Sequence, residues 1–443
     1  MNLLEKALEM LREYPLCDNC LGRQFALLGY GLTNAERGRA IKTALTLQLH
    51  EKALSGDEKA IQDLKTLAKN GASTTAKQTL EKLNIKTQEE KIICHLCQNV
   101  FQKIQEIAEK AAEKMEEYEY ETFLVGVKIP AEIEEREDEF RARFSVMHAE
   151  SLRNELSREI GKKLQEITGR EVDFKKPQIT VIVHPYEDRV ELQIRPLFIA
   201  GRYKKLVRGI PQSRWICTQC MGRGCEKCNW TGKMYETSVE ELIAVPMMRA
   251  AEGEDEALHA AGREDVDARV LGKGRPFIVE IKNPRKRSLN LKELEERINR
   301  ESGGRVEVAN LRIVERADVK RLKKGEGARK IYEAEVEFNR NISDEEVKRL
   351  EEALTGATIN QWTPIRVLHR RANKLRRRKV YQISIKREAP NRLVFRIMCD
   401  GGLYIKELIT GDEGRTQPSV SQLLNAKAKS IKLDVVDVLM EGY

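Results

Sequence analysis

The chain has 443 residues, of which 34% are charged and only 5% are aromatic. A single hydrophobic core stops growing at roughly 250 to 300 residues, so this length predicts two or three domains. The net charge is +9, from 79 Lys and Arg against 70 Asp and Glu, and no apolar run approaches the ~20 residues that cross a bilayer. This composition excludes a membrane-spanning protein. The amphipathic pattern of residues 1–15 favours a helix over a signal peptide, and we expect a cytoplasmic protein.

The N-terminal part of the chain predicts a helical region followed by a mixed one. Residues 1–120 are rich in Lys and Glu and have helical periodicity, and residues 55–90 within them predict a solvated helical hairpin. Residues 121–212 mix helix and strand. The elements predicted there are one helix over 150–168 and two strands over 178–184 and 189–195.

Eight of the nine cysteines fall into four Cys-x-x-Cys pairs. The pairs are Cys17/Cys20, Cys94/Cys97, Cys217/Cys220 and Cys225/Cys228. Two thiolates at this spacing bind one zinc ion at Zn–S distances near ~2.3 Å, and two such pairs complete a tetrahedral site. Because the reducing cytosol favours zinc over disulfides, we expect one or two structural Zn²⁺ ions. Four thiolates leave no open position for a catalytic water.

The two predicted zinc sites differ in the distance between their pairs along the chain. In residues 217–228 the pairs follow each other directly, and the glycines between them let the backbone wrap around an ion. The pairs at 17–20 and 94–97 must be brought together by the folding of the helical insert between them. The alternative for each cluster is a set of buried, inert thiols, which is our interpretation of Cys399.

Residues 238–443 alternate irregularly between helix and strand, which predicts an α+β sheet with helices on one face. The predicted strands cover 277–281, 306–314, 330–338, 379–386 and 392–399, and the predicted helices cover 238–251, 291–302, 343–354 and 405–410. The whole chain is thus predicted to divide into a helical zinc-containing region at 1–120, an α+β part at 121–212, a second zinc module at 213–237 and an α+β domain at 238–443.

Residues 361–379 form the strongest basic feature, with eight Lys and Arg and no acid. Pro364 breaks a regular helix near the start of this run. A block of like charge repels itself unless it meets an anion, so we expect a phosphate backbone as its partner. The alternative is a solvated loop beside an acidic subunit. A shorter basic run at 200–208 is either an RNA-facing edge or a solvated strand end.

The densest mixture of charges lies at 262–269, between a helix-like segment and a strand. This octet holds three carboxylates, Glu264, Asp265 and Asp267, together with two guanidiniums. Alternating Arg and Asp are common on solvated surfaces, so the octet alone does not identify a catalytic site.

Several motifs resemble those of pseudouridine synthases and occur in that family's order. Residues 262–265 are similar to the Gly-Arg-Thr-Asp signature, with Glu264 in the place of Thr, while residues 330–334 and 403–408 resemble the second and third motifs. The resemblance is completed by residues 411–419, the Thr-Pro-Ile-Arg-Val-Leu-His-Arg-Arg run and the N-terminal cysteine pairs. Over nearly its whole length the chain resembles the archaeal-type tRNA pseudouridine synthases that act on positions 54 and 55 of the TΨC arm.

The resemblance implies both a fold and a function. The fold it implies is a pseudouridine-synthase catalytic domain preceded by a zinc-containing region with a THUMP-like RNA-binding domain. The function it implies is isomerisation of uridine-54 and uridine-55 in tRNA, without an organic cofactor. We expect a monomer, because the sequence has no heptad repeat or long apolar seam.

The resemblance also implies roles for single residues. Asp265 is implied as the nucleophile and Tyr332 as the aromatic that stacks on the target base. Lys406 is implied as the cation beside the nucleophile, since a Lys within ~4 to 6 Å of an Asp favours its charged form. The target base is stacked and must be flipped out, and Arg263 is a candidate to fill the vacated space. The other expected substrate contacts are Tyr404, Ile405, Arg370 and Arg371.

Three alternatives stay open at the level of sequence. Asp267 competes with Asp265 for the role of nucleophile. Either of them, with Glu280 and Lys282, is similar to the Asp…Glu-x-Lys arrangement of metal-dependent nucleases. The cysteine pairs and the basic run also fit a non-catalytic zinc-containing RNA-binding protein.

Overall fold

The computed structural model describes residues 2–86 and 92–440. The chain divides into two compact units, Met1–Arg195 and Pro196–Tyr443. Each unit has its own hydrophobic core. Among the described residues, no helix is both long enough and apolar enough to span a membrane.

The first unit combines a helical region with a small sheet. Its helices are α1 (Leu3–Glu13), α2 (Asp18–Gly22), α3 (Asn34–Leu54), α4 (Glu58–Lys69), α5 (Thr74–Lys82), α6 (Ile104–Met115), α7 (Ala131–Arg143) and α8 (Leu152–Thr168). Its strands are β1 (Thr122–Val127), β2 (Glu171–Val172), β3 (Ile179–His184) and β4 (Arg189–Ile194), in the order β2-β1-β3-β4. Strand β1 runs parallel to β2 and β3, and β4 is antiparallel to β3.

Local sequence accounts for the boundaries of several of these elements. Helix α3 begins after Thr33, whose side chain caps the helix while Glu36 bonds back to the Thr33 backbone. Helix α8 begins after Ser151 and ends at Gly169, which adopts a φ of 65°. The helix and strands expected over 150–168, 178–184 and 189–195 are confirmed to within two residues at each end.

The helical hairpin expected over 55–90 is present as α4 and α5, although residues 87–90 lie outside the described part of the chain. The hairpin is not solvated on all sides, because Leu64, Leu67 and Leu80 are fully buried in the core of the first unit. Its apolar positions follow helical spacing, so one face packs inward while the charged face meets water.

The second unit is built on one large mixed sheet. Its strands are β5 (Leu197–Lys205), β6 (Asp255–Ala260), β7 (Arg269–Lys282), β8 (Val306–Val314), β9 (Lys330–Phe338), β10 (Thr358–Gln361), β11 (Arg376–Ala389), β12 (Arg392–Cys399), β13 (Thr416–Gln417) and β14 (Ala428–Val438). Its helices are α9 (Val239–Ala251), α10 (Leu291–Glu301), α11 (Arg316–Lys324), α12 (Asp344–Leu354), α13 (Ile405–Thr410) and α14 (Val420–Leu424). The strand order is β13-β10-β11-β12-β9-β14-β7-β5-β8, with β6 paired to β7. The expected α+β class is confirmed.

Strand β5 pairs with β7 and β8 and therefore belongs to this large sheet. The division drawn from the sequence had grouped its residues, within 121–212, with the preceding α+β part. The boundary between the compact units instead lies just before Leu197. The division into four parts remains a prediction.

Two strand pairings position the candidate site. Strand β9 lies between β12 and β14, and Tyr332 on β9 pairs with Ile397 and Val435. Strand β14 then meets β7 in a short parallel contact that pairs Val435 with Val270. The loop 261–268 enters β7 beside this contact, so the charged octet lies next to the middle of the sheet.

Candidate functional site

The octet of charges forms the loop between β6 and β7, and a glycine fixes its course. Gly262 has a φ of +87°, a conformation that side-chain-bearing residues rarely adopt. A Cβ atom at this position would stand 2.6 Å from Nζ of Lys330. The backbone of this turn therefore favours glycine, whereas the Lys330 side chain could move aside for a Cβ atom, and the turn directs the next residues toward a cavity.

A cavity of about 740 Å³ lies against this loop. The predicted site residues that line it are Arg263, Asp265, Tyr332, Arg371, Tyr404, Ile405 and Lys406. These residues come from four separate parts of the second unit, and the fold brings them to one place. The side chain of Arg370 lies outside what the structure describes.

Asp265 presents its carboxylate to two cations. Its Oδ1 accepts a hydrogen bond from Nη1 of Arg366 at 3.0 Å, and its Oδ2 lies 3.6 Å from Nζ of Lys406. The Asp265 side chain is 31% exposed, so it is partly dry and still reachable from the cavity. Each oxygen of this carboxylate therefore has a cation beside it at the cavity.

Asp267 holds Lys406 more tightly than Asp265 does. Nζ of Lys406 donates to Oδ1 and Oδ2 of Asp267 at 2.8 and 2.6 Å. Partial burial acts against ionisation of Asp267, but the hydrogen bond and charge of Lys406 and the charge of Arg366 lower the pKa of this carboxyl below its ordinary value. Lys406 thus bridges the two candidate nucleophiles, whereas the sequence had suggested a pair with Asp265 alone.

Arg366 is the residue that sequence reasoning assigned to the wrong kind of contact. Within the basic run of 361–379 it was expected to meet phosphate, but its Nε donates to Oε1 of Glu407 at 2.6 Å while Nη1 holds Asp265. Glu407 is 5% exposed. Although burial acts to lower it, the bond to Glu407 and the two nearby carboxylates raise the pKa of Arg366, so this guanidinium stays charged.

The two aromatic residues stand in different surroundings. Tyr332 on β9 is 9% exposed and lines the cavity, and burial raises the pKa of its phenol. The hydroxyl of Tyr404 accepts a hydrogen bond from Nη1 of Arg371 at 3.1 Å, and the Arg366 guanidinium lies 5.8 Å from the Tyr404 ring centre. One ring is therefore a fixed wall of the cavity, and the other lies among the cations at its edge.

Two further predicted residues, Arg263 and Ile405, also line the cavity. The guanidinium of Arg263 lies 6.0 Å from the ring centre of Trp215, a residue that also lines the cavity. Ile405 is 2% exposed and is the first residue of α13, so it holds this helix in the core. Trp215 carried no signal in the sequence that linked it to the octet.

The arrangement of a metal-dependent nuclease does not form. Oε2 of Glu280 lies 3.1 Å from Nε2 of His259, and Nζ of Lys282 donates to Asp255 at 2.6 Å. In the described ranges, groups of three or more metal-ligating side chains within reach of one ion consist of cysteines alone. The partners of Asp265 and Asp267 are instead the side chains of Arg366 and Lys406.

The sulfurs of both cysteine clusters have the spacing of a zinc site. The four Sγ atoms of each cluster lie within 4.8 Å of one another. Tetrahedral ligands at Zn–S distances of ~2.3 Å stand about 3.8 Å apart. One pair of Sγ atoms in each cluster has this separation: Cys17 and Cys97 lie 3.7 Å apart, and Cys220 and Cys228 lie 3.8 Å apart. The donor set and its geometry therefore fit a structural metal.

The surroundings of the sulfurs support the same reading. Backbone N–H groups of Gly224 and Gly232 donate to Sγ of Cys220 and Cys228, each at 3.2 Å. In the first cluster, Nη1 of the buried Arg23 lies 3.6 Å from Sγ of Cys20. Such donors stabilise thiolate charge around a metal.

Comparison with known proteins gives two family models that match the chain. One, described as Pus10, C-terminal, matches residues 198–439, and the other, described as the archaeal Pus10 THUMP domain, matches residues 107–184. The predicted THUMP-like region is thereby confirmed.

Curated proteins match over almost the full length. The protein named tRNA pseudouridine synthase Pus10 from Methanothrix thermoacetophila is 41% identical over 99% of this chain and 94% of its own. The protein of the same name from Methanocaldococcus jannaschii is 47% identical over 97% of this chain and 93% of its own. Among solved structures, a chain of a Cbf5-Nop10-Gar1 complex is 15% identical, covers 54% of this chain and 48% of that chain, and has a TM-score of 0.30, which is too low to support an argument.

Proposed function

Because the chain belongs to the Pus10 family of tRNA pseudouridine synthases, we propose that it isomerises uridine-54 and uridine-55 in the TΨC arm of tRNA with Asp265 as its nucleophile. The observation that carries the proposal is the position of the Asp265 carboxylate at the cavity. It lies 3.0 Å from Arg366 and 3.6 Å from Lys406, and Tyr332 lines the same space.

The chemistry requires one ionised carboxylate in a partly dry pocket. Conversion of uridine to pseudouridine breaks the N-glycosidic bond, rotates the uracil and rejoins it through carbon, with no net redox change. Asp265 attacks the ribose C1′ or assists the formation of a glycal. Arg366 and Lys406 place their charges beside this carboxylate and hold it at the cavity. Tyr332 provides the surface against which the uracil stacks.

The target base must leave its stack before it reaches this pocket. Arg263 lies at the cavity wall beside Trp215, where its guanidinium is placed to fill the space that the base vacates. Tyr404 and Arg371, joined by a hydrogen bond of 3.1 Å, lie at the same cavity and provide polar contacts for the flipped nucleotide.

Phosphate recognition falls to two basic elements of the second unit. Residues 361–379 carry eight Lys and Arg, and Arg371 and Arg378 of this segment line the cavity. Helix α11, which sequence reasoning missed, carries five more, and its Lys323 lines the same cavity. Cations on several elements around one cavity suit a folded RNA, whose phosphates approach from more than one direction.

The wider organisation follows from this assignment. We propose that the zinc-containing helical region and the THUMP domain bind the tRNA and that the second unit holds the reaction. We further propose a monomer that acts in the cytoplasm, where its substrate is found. The isomerisation calls for no organic cofactor.

We propose that both cysteine clusters hold zinc as a structural ion. Metal analysis of the purified protein is expected to give two zinc ions per chain, and one in Cys94→Ser and in Cys225→Ser. Cys94→Ser should also lower the thermal stability of the first unit, because Cys94 is 3% exposed within its core. A single zinc ion in the wild-type protein would refute one of the two sites.

The direct test is incubation of the protein with an unmodified tRNA transcript, with and without EDTA. We expect pseudouridine at positions 54 and 55, and transcripts with cytidine at one position should be modified only at the other. Circular dichroism before and after chelation must show that the zinc sites survive EDTA. Strand breaks that need Mg²⁺ would favour a nuclease, and a protein that binds tRNA without either product would contradict the proposed catalysis.

A further inference from the structure

Glu264, the residue before the proposed nucleophile, has an environment opposite to that of its neighbour. Its side chain is 0% exposed, whereas that of Asp265 is 31% exposed. We propose that Glu264 is a positioning residue, a buried carboxylate that fixes the backbone of the loop 261–268 so that Asp265 reaches the ribose. The inference rests on the proposed function, because it assumes that Asp265 is the nucleophile.

The Glu264 carboxylate is surrounded by donors from two strands and the segment after β5. Its Oε2 lies 3.0 Å from Nε of Arg275 on β7, and both of its oxygens accept from the hydroxyl of Tyr203 on β5 at 3.0 Å. Nε2 of Gln212 donates to the same carboxylate at 3.2 Å. With this set of partners and a side chain that is 0% exposed, the Glu264 carboxylate is directed into the protein and not toward substrate.

The same donors hold the loop backbone. Nη1 of Arg275 donates to the carbonyl of Ala261 at 2.7 Å, and Nε2 of Gln212 donates to the carbonyl of Gly262 at 3.0 Å. Arg275 and Gln212 thus each contact both the Glu264 side chain and the main chain just before it. Removal of the carboxylate would free Arg275 and Gln212 to shift, and the two carbonyls would shift with them.

The other side of the loop is held in a similar way. Nζ of Lys205, which is fully buried, donates to the carbonyls of Asp265 at 3.2 Å and Val266 at 2.8 Å. Arg208 donates to the carbonyl of Asp267 at 2.7 Å. A loop between two strands lacks the regular bonds of a sheet, so side chains must satisfy its carbonyls. The nucleophile lies between two such anchors.

Burial of this network has chemical consequences that agree with a fixed role. Burial and the adjacent Glu264 charge raise the pKa of Tyr203, so this phenol stays a donor. Arg275 is 1% exposed and finds its counter-charge in Glu264. A buried guanidinium that loses its counter-charge is strongly disfavoured, so the pair must be kept or replaced together.

The departure from the Gly-Arg-Thr-Asp pattern now has a physical reason. A Thr at position 264 would be too short to reach Arg275, Tyr203 and Gln212 at once. The longer acid Glu264 reaches the buried Arg275, and the two residues form one ion pair. We expect its loss to change the rate of the chemical step more than the binding of RNA, because the proposed RNA contacts lie at the cavity whereas the Glu264 side chain is buried.

The test compares Glu264→Gln with Glu346→Gln, a control in the same unit. Glu346 accepts a hydrogen bond from Nη1 of Arg340 at 3.1 Å, takes part in the N-terminal cap of α12 and does not line the cavity. Both variants should lose thermal stability. With saturating tRNA, Glu264→Gln should lower kcat about 100-fold with little change in KM, the loss expected for a misplacement near 1 Å, and Glu346→Gln should keep its kcat.

A second variant separates position from stability. Glu264→Leu with Arg275→Met replaces the buried pair by apolar side chains, a change that commonly restores stability. We expect its melting temperature to return toward the wild-type value while kcat stays about 100-fold low, because the Ala261 carbonyl has lost its donor. A kcat that recovers together with stability, or a Glu264→Gln enzyme with wild-type kcat, would overturn the positioning role. Absence of pseudouridine with the wild-type protein would refute the proposed function instead.

Discussion

The inner and outer halves of the loop 261–268 present carboxylates in opposite settings. On the inner half, Glu264 is fully buried and its partners come from the strands beneath it. On the outer half, Asp265 and Asp267 are 31% and 59% exposed, and their partners reach across from the far side of the cavity. The protein encloses the first carboxylate, whereas the other two are partly exposed. Neighbouring residues with the same functional group thus differ in burial, and this difference is why we propose different roles for them.

The cations of the outer half are themselves partly exposed, Arg366 at 38% and Lys406 at 21%. Exposed ion pairs are weak and screened by salt, so they contribute little to stability. Their contribution lies in the charge that they place beside Asp265 at the cavity. Variants of the outer half should therefore change catalysis, and the size of the change should follow how closely each group contacts Asp265.

The largest effect among the partners is expected at Arg366. Replacement by Met removes the cation that bonds Asp265 and leaves the buried Glu407 without a counter-charge. We expect kcat to fall about 100-fold, as for loss of one preorganised donor, with a lower melting temperature. Single-turnover rates on a tRNA transcript measure the first effect and thermal unfolding the second. Arg366→Lys is the control, and a normal rate in Arg366→Met would show that Asp265 does not depend on this bond.

A smaller loss of kcat is expected for Lys406→Met. Nζ of Lys406 lies 3.6 Å from Asp265 but only 2.6 Å from Asp267, so its main contact is with the second acid. We expect a decrease in kcat of about 10-fold, less than for Arg366→Met, because the closer cation stays in place. The same single-turnover assay ranks the two variants. If Lys406→Met were the more damaged enzyme, the assignment of Arg366 as the main partner would be wrong.

Asp267→Asn should have little effect on the reaction. The Asn side chain keeps an acceptor for Lys406, and Asp267 does not supply the nucleophile in this account. We expect kcat within about threefold of the wild-type value, since a neutral acceptor still makes a hydrogen bond of ordinary strength. Complete loss of pseudouridine formation in this variant, with folding intact, would transfer the nucleophilic role from Asp265 to Asp267.

The smallest expected effect is the pH-dependent contribution of Asp267 to the free energy of unfolding. The folded-state pKa of Asp267 lies below the ordinary 3.8, so ionised Asp267 contributes stability that is present above that value and lost as the pH falls through the folded pKa. The side chain is more than half exposed, so the contribution is less than about 1 kcal/mol. Urea unfolding of wild type and Asp267→Asn should differ at neutral pH, and the difference should vanish as the pH falls below 3.8 and through the folded-state pKa. Loss of zinc in acid should affect both proteins alike. A stability difference between them that grew in acid would contradict a lowered pKa of Asp267.

The sequence predicted those elements whose signals are local. Helix α12 was expected over 343–354 and begins one residue later, after Ser343, which caps it together with Glu346. Strands β8, β9 and β12 occur at the predicted residues. Strand β14 was missed because charged residues interrupt its apolar ones, and its pairing with β9 and β7, rather than its own pattern, defines it.

The candidate site likewise contains residues that the sequence identified and residues that it did not. Asp265, Tyr332 and Lys406 were identified by motifs, and the structure brings all three to one cavity. Arg366 lies 101 residues from Asp265 along the chain, and nothing in its neighbourhood distinguishes it from the other arginines of the basic run. The partners of Glu264 were equally hidden, because only the sheet brings Tyr203 and Arg275 together.

One comparison of variants tests whether Asp265 performs the chemistry. Asp265→Asn, Asp267→Asn and the wild-type protein are each incubated in excess with an unmodified tRNA transcript, and pseudouridine at positions 54 and 55 is measured over time. Thermal unfolding and tRNA binding must first show that the three proteins fold and bind alike. We expect no pseudouridine at either position with Asp265→Asn and near-normal rates with Asp267→Asn. Product formation by a folded, tRNA-binding Asp265→Asn enzyme would show that Asp265 is not the nucleophile.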